Sequence, residues 1–292
     1  MPLFSIVIPS YNRRNLWENH KLLDSLYNQT ETDAEAIIID DASTDGTIDF
    51  LKQYIQDNPP PFPFRLVKCL AEKKNSNQSS TIPDNIGFLL AKGKIFCHVD
   101  DDCIPSIKWL EYTKSLNLLN NPACIWGNAV FINPKTLEPL SFDSRLGRPT
   151  LEAKKIDPNI KMIPLKKSHL ADWGALYCAP SWVIKEAGGH SMELSHRRGI
   201  DAMIGWRIRH KVPTYFCIEE AFTYLHFDNS WLRKKAAEGE RGLKEIAEQH
   251  KIPFPSYFVK NNEVMPSTLE VNGGIKFWDS SILDNLYQEI EL

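Results

Sequence analysis

The run Ala36-Ile37-Ile38-Ile39 has no polar position and gives way at once to Asp40-Asp41-Ala42-Ser43-Thr44-Asp45-Gly46-Thr47. Side chains of a strand alternate between the two faces of its sheet, so a strand without a polar position must be covered on both faces. A parallel sheet flanked by helices meets that demand, and the first third of the chain supplies its other parts. Phe4-Ser5-Ile6-Val7-Ile8 reads as a strand that stops at Pro9, Phe64-Arg65-Leu66-Val67 as a third strand and Ile95-Phe96-Cys97-His98-Val99 as a fourth. Helical patterns lie between them. The first carries Leu16, Leu22, Leu23, Leu26 and Tyr27 on one side. The second carries Ile48, Phe50, Leu51, Tyr54 and Ile55 and breaks at Pro59-Pro60-Pro61. The third carries Ile86, Leu89 and Leu90 and ends near Gly93. This alternation predicts an α/β fold with a doubly wound parallel sheet, and such sheets bind ligands at the carboxyl ends of their strands. Pro9-Ser10-Tyr11-Asn12, Asp40-Asp41 and Asp100-Asp101-Asp102 all follow strands, so all three should open onto one edge.

Beyond residue 105 the pattern changes. It predicts a helix over 106–119, strands over 123–132 and 170–179 with a long charged, proline-bearing loop between them, a short helix over 199–210 and either a charged helix or a mobile segment over 231–249. From 252 onward no periodicity is legible. With 292 residues, 42% of them hydrophobic, the chain can bury one large core, and a net charge of −3 offers no basic field for a nucleic-acid partner. An acidic or phosphorylated ligand must therefore be held locally. The six cysteines form no C-x-x-C pair and sit mostly in apolar runs, as buried thiols of a reducing compartment do. No secretory leader and no apolar stretch of about 18 residues is visible. The expectation is a cytoplasmic protein without a transmembrane segment, with peripheral contact at the inner face of the membrane left open.

Asp100-Asp101-Asp102 is the strongest chemical signal. Adjacent carboxylates repel and resist burial unless something neutralises them. Mg²⁺ or Mn²⁺ does so with one or two carboxylates plus substrate phosphates. In an extended segment Asp100 and Asp102 would point the same way and Asp101 away. The triplet also suits an acidic turn or the start of the following helix. Asp40-Asp41 could likewise cap the next helix, a task expected of Ser43 or Thr44. A carboxylate there can also accept from a base N–H or a ribose hydroxyl, and Tyr11 offers a ring for a base to stack on.

The segments Phe4 through Arg13, Ile37 through Thr47, Asn85-Ile86-Gly87 with Ala91-Lys92-Gly93, and the aspartate triplet together resemble glycosyltransferase family 2 in order and spacing over roughly the first 110 residues. The resemblance implies a single Rossmann-like glycosyltransferase A domain with a mostly parallel central sheet, plus a C-terminal extension. It implies a catalytic domain over 1–230, divided into a nucleotide-binding half (1–105) and an acceptor half (106–230), with a helix, lid and tail over 231–292. Pro9, Tyr11 and Arg13 would line the nucleotide pocket. Asp41 would bond the base, read as uracil. Asp100 would meet ribose or metal, and Asp102 would hold the cation, Mn²⁺ or Mg²⁺, on the diphosphate. Trp173-Gly174-Ala175 and Gly188-Gly189-His190 look like the family's acceptor-side strand and the turn beyond it. The segment Gly199 through Arg209 resembles its E-D-x-x-x-x-x-R helix, which makes Asp201 the candidate base. His226 resembles a histidine that completes the metal site.

The implied partners are a nucleotide-sugar donor and a carbohydrate or glycan acceptor. The implied reaction is inverting transfer of one sugar, since the Q-x-x-R-W motif and membrane helices of processive synthases are missing. Two departures stand out. Asp84 precedes Asn85 where the family often has arginine, which leaves Lys73 or Lys74 to meet the phosphates. Ile200 stands where a glutamate often precedes the catalytic aspartate. His98 reads as a core histidine. His20, His169, His190, His196, His210 and His250 lack metal-ligand spacing. Trp231-Leu232-Arg233-Lys234-Lys235 suits a solvated helix face as well as a basic lid. A sugar-phosphate nucleotidyltransferase is the rival enzyme, disfavoured because the first loop lacks glycine. A non-catalytic sugar- or nucleotide-binding module is the rival of another class.

Overall fold

The computed structural model describes residues 1–19, 21–70, 82–132, 162–164, 175–190, 200–217, 219–227, 283 and 285–292; for 128–132, 163, 200–203, 206 and 223–227 it describes the backbone. Strands β1 (Phe4–Ser10), β2 (Ala34–Asp40), β3 (Phe64–Cys69) and β4 (Ile95–Val99) form the parallel block expected from the sequence, in the order β3-β2-β1-β4. The chain moves outward from β1 to β3 and then returns to β4 on the other side of β1. That reversal opens a crevice at the carboxyl ends of β1 and β4. Pro9 is inside β1, not beyond it. The pairing with β4 ends at Val7, so Pro9 keeps only the β2 neighbour, and a missing N–H costs little there.

Helices α1 (Arg14–Trp17), α2 (Lys21–Tyr27), α3 (Thr47–Asp57) and α4 (Ile82–Leu90) connect these strands. Further on come β5 (Cys103–Pro105), α5 (Trp109–Ser115), β6 (Cys124–Trp126), β7 (Asn128–Ile132), β8 (Met162–Pro164), β9 (Leu176–Pro180), α6 (Ser181–Ala187), α7 (Ile200–Lys211), β10 (Thr214–Cys217), β11 (Thr223–Phe227) and β12 (Tyr287–Ile290). The main sheet has nine strands in the order β12-β3-β2-β1-β4-β9-β6-β10-β8. Strands β1, β2, β3, β4, β6 and β10 run the same way, and β8, β9 and β12 run against them. The sheet is thus mostly parallel, as expected, with antiparallel strands inserted beyond β4 and at the edge.

Two cores cover the two faces. Ile6, Ile8 and Ile38 point into one, with Trp17, Leu23, Leu51 and Trp109. Val7, Ile37 and Ile39 point into the other, with Ile86, Phe96, Val183 and Ile208. Neighbouring isoleucines of β2 feed opposite cores, which is why that strand has no polar position. Two glycines of the motif serve this packing. A Cβ on Gly87 would lie 2.2 Å from Val7 Cγ1, and one on Gly93 would lie 2.4 Å from the Ser5 nitrogen.

Three expectations are corrected. The strand expected over 123–132 is two strands in two sheets, because the chain leaves the main sheet at Gly127. β7 then joins β11 and β5 in a three-stranded sheet. The first helical stretch is two short helices, and its largest fully buried side chain is Trp17, beside Leu23 and Leu26. The tail without periodicity returns to the body. β12 pairs antiparallel with β3, and Arg65 grips Glu289 through two hydrogen bonds of 2.7 and 3.2 Å. Part of the 231–292 extension is therefore the outer strand of the main sheet. Among the described residues no helix is long and apolar enough to cross a membrane.

Candidate active site

The crevice is built by the loops after β1, β2 and β4. Those after β1 and β2 are stitched together by Asp41 N–H to the Ser10 carbonyl (2.7 Å), Asn12 N–H to Ser43 Oγ (2.8 Å) and Thr44 N–H to Asn12 Oδ1 (2.8 Å). Asn12 and Ala42 hold positive φ angles of 51° and 60°. A left-handed alanine carries local strain, which folds sustain mainly where function shapes a loop. Ser43 and Thr44 are thus cross-links rather than helix caps, which corrects the expectation for them. The start of α3 is instead held by Asp45, whose Oδ1 accepts from Thr47 N–H and Oγ1 at 3.0 and 2.5 Å.

Asp40, wholly buried at the end of β2, accepts from Ser43 N–H at 2.9 Å. Burial pushes its carboxyl above the usual range. Asp41 is buried at the crevice floor, Pro9 is half-buried, and the Tyr11 ring is 46% exposed.

The aspartate triplet forms a turn closed by Cys103 N–H to the Asp100 carbonyl at 3.0 Å, and is not the extended segment expected. The turn still separates the three roles. Asp101 faces inward: its Oδ2 accepts from Ser10 Oγ at 2.7 Å, and its Oδ1 lies 3.6 Å from Arg13 Nε. Ser10 Oγ in turn accepts from Trp17 Nε1 at 2.9 Å. Burial and the charge of Asp102 push the Asp101 carboxyl up to about 7, against the opposing pull of Arg13 and Ser10. Arg13, expected in the nucleotide pocket, lies on the aspartates, with Nη2 4.0 Å from Asp102 Oδ2.

Asp100, Asp102 and Cys103 each bring a ligand atom within 4.8 Å of the others. Two carboxylates are the hard oxygen donors that Mg²⁺ or Mn²⁺ takes. Burial and the neighbouring aspartates push the Cys103 thiol well up, and a hard cation of this class takes oxygen rather than sulfur, which makes the two carboxylates the matching donors. The residues present fit a divalent cation of that class. The antiparallel register of β11 on β5 sets His226 opposite Cys103, one residue from Asp102. Asp201 is the second residue of α7, in its first turn. Trp173, Gly174, Lys73 and Lys74 lie outside the described residues.

Trp17, His98 and the pair Asp84–His190 lie next to the aspartates and the loop after β1 without being singled out for the site by the sequence, which marks Ser10 only as part of its loop. The bonds of Ser10 Oγ to Asp101 and Trp17 give no sequence signal, since they arise from packing. His98 is buried as expected, yet its Nε2 lies 2.9 Å from Asp100 Oδ1. Arg207 donates to the carbonyls of Ala187 and Gly189, and so holds the left-handed turn at Gly188–Gly189 onto α7. Arg209 is buried beside Gly205 and Trp126. Burial lowers these guanidinium groups to about 9 and about 10.

Sequence and structure comparisons bear on the family and the fold. A glycosyltransferase of Haemophilus influenzae with no characterised function is 28% identical over 186 residues, 61% of this chain and 57% of that protein. The poly(ribitol-phosphate) β-glucosyltransferase of Bacillus spizizenii is 37% identical over 116 residues, 38% of this chain and 17% of that one. The chain thus spans little more than half, or less, of these relatives. The structure of S. aureus TarS residues 1–349 in complex with UDP-GlcNAc superposes with a TM-score of 0.58 at 16% identity, over 84% of this chain and 66% of that one. The mannosyltransferase PcManGT of Pyrobaculum calidifontis, in complex with GDP-Man and Mn²⁺, gives 0.53 at 17% identity, over 86% and 64%. These likenesses show the glycosyltransferase A fold. The family model for glycosyl transferase family 2 matches residues 5–163, more than half of the chain, and the protein belongs to that family.

Proposed function

We propose that the protein is a metal-dependent, inverting glycosyltransferase that moves one sugar from a UDP-sugar to an acceptor hydroxyl. The observation that carries this reading is the turn that brings Asp100 and Asp102 together at the crevice where the β1 and β2 loops meet. The UDP-GlcNAc held by TarS and the Mn²⁺ held by PcManGT support the donor and cation classes. Asp100 and Asp102, with His226, would hold the cation. When bound, a divalent ion supplies charge compensation for the departing nucleotide diphosphate. Tyr11 stacks on the base, and Asp41 accepts its N–H. Asp201 takes the proton of the acceptor hydroxyl as that oxygen attacks the anomeric carbon from the face opposite the leaving group. Attack from that face inverts configuration. Proton transfer of this kind contributes roughly 10²–10⁴-fold.

The test is release of UDP from UDP-sugars with Mn²⁺, repeated in excess chelator and with Asp102→Asn. Loss of release in both, with an unchanged melting temperature in the variant, is expected. Full activity in chelator rejects the metal-dependent mechanism. Pyrophosphate formation from UTP and a sugar phosphate would instead favour the nucleotidyltransferase.

A further inference from the structure

Asp100 is the outer end of a polar chain that runs into an apolar wall. His98 lies on the same face of β4 as Phe96, and Asp100 follows directly past the end of that strand. The His98 ring stacks on Tyr177, with centroids 5.2 Å apart and planes 14° apart, which fixes its plane. Its Nε2 reaches Asp100 Oδ1 at 2.9 Å, and its Nδ1 lies 3.6 Å from Asp84 Oδ1. The other oxygen of Asp84 lies 3.8 Å from His190 Nε2. His190 stacks on Phe88, and its backbone N–H and C=O are both bonded by the Asn85 carboxamide, at 2.8 and 2.9 Å. The side chain of Asp100 is 38% exposed, whereas those of His98, Asp84 and His190 are 5%, 14% and 2% exposed.

We infer that His98 is a positioning residue for Asp100, donating from Nε2 to Oδ1 and turning the carboxylate toward Asp102, with the Tyr177 stack holding the plane of the imidazole. This rests on the proposed donor and cation site. Two arguments separate it from simple core packing. Ionisable groups buried side by side are expensive, and Phe96, Phe88 and Tyr177 show that this wall is otherwise built from aromatic rings. A half-exposed carboxylate at a turn has rotamer freedom that must be lost before it can bind a cation. A bond to a stacked, anchored ring removes that freedom in advance, as groups behind metal ligands commonly do. Asp84, in the place where the family often has arginine, lies close behind His98 and His190.

The experiment measures Mn²⁺ binding alone, UDP binding with and without Mn²⁺, and melting temperature. It uses the full chain as wild type, His98→Leu, His98→Gln and His98→Asn. Leucine fills the space without a donor, glutamine places an N–H near the position of Nε2, and asparagine carries the same group on a shorter arm. Positioning predicts a loss of Mn²⁺ affinity of about 10–100-fold in His98→Leu, near-wild-type affinity in His98→Gln and a loss in His98→Asn, without a matching order in melting temperature. Mn²⁺ affinity in His98→Leu within twofold of wild type overturns it. If that variant does not fold, equal affinity of the Gln and Asn variants overturns it. A wild type that binds UDP but no Mn²⁺ rejects the cation reading alone. The Gln and Asn variants are then compared on UDP, where equality again overturns positioning. A wild type that binds neither overturns both readings.

Discussion

Each aspartate of the triplet meets a different environment, and the environment divides the work. Asp101 is spoken for by Ser10 and Arg13, Asp100 by His98, while Asp102 shares the mouth of the turn with Asp100. Substitutions at the proposed donor and acceptor positions should then separate binding from chemistry. Tyr11→Ala and Asp41→Ala are each expected to weaken UDP binding about 3–10-fold, the size of one lost hydrogen bond or its equivalent in stacking, as read by calorimetry. Unchanged affinity in both variants would place the nucleotide elsewhere. Asp201→Asn should keep UDP affinity and melting temperature while turnover falls about 10²-fold or more, because a base acts only in the transition state. A variant that melts early but turns over normally would assign Asp201 to the scaffold.

At the scale of elements, the motif residues split into those that shape the crevice and those that let elements approach. Asp45 holds the first turn of α3 and also accepts from Arg14 N–H at 3.0 Å, so it joins two helix starts. Asp45→Ala should cost about 1 kcal/mol in denaturant unfolding, as loss of a cap does. A cost near zero would show that water replaces it. Gly93 sits where the chain enters β4, and its N–H donates to Ser5 Oγ at 2.6 Å. Any Cβ there meets backbone of β1, which cannot rotate aside. Gly93→Ala should destabilise by about 1–3 kcal/mol. A variant as stable as wild type would show that β1 and β4 can shift apart.

At the scale of the molecule, the edge of the main sheet is closed by the chain's own end. Leu283 and Leu286 enter the core on one face, and β12 covers the otherwise open edge of β3. The hydrogen bond from Arg65 holds the Glu289 carboxyl below the usual 4.5. A depressed folded pKa means that the stabilisation is present above the unfolded value and lost as pH falls through the folded one. Wild type should therefore exceed Glu289→Gln in stability near neutral pH by no more than about 1 kcal/mol, since the pair is half-exposed. The gap should close below about pH 4.5 as Glu289 protonates. Denaturant melts across that range check it, and a gap that persists in acid would mean that shape rather than charge holds the edge.

The parallel block was legible because its cause is local. A run such as Ile37-Ile38-Ile39 carries its double burial in its own letters, and the aspartates and Asn12 mark the ends of their strands by composition. The grouping of Asp100 with Asp102 was legible too, though through a turn rather than an extended strand, since backbone hydrogen bonding decides between those shapes. What the letters could not hold were relations between distant segments. Gly127 divides one apolar run between two sheets, His98 becomes more than core only when Asp84 and Asp100 flank it, and Tyr287–Ile290 is a strand only because β3 offers an edge. Such roles depend on a partner far away in the chain. Local pattern sets burial and strand direction, whereas tertiary packing alone decides which buried polar groups meet.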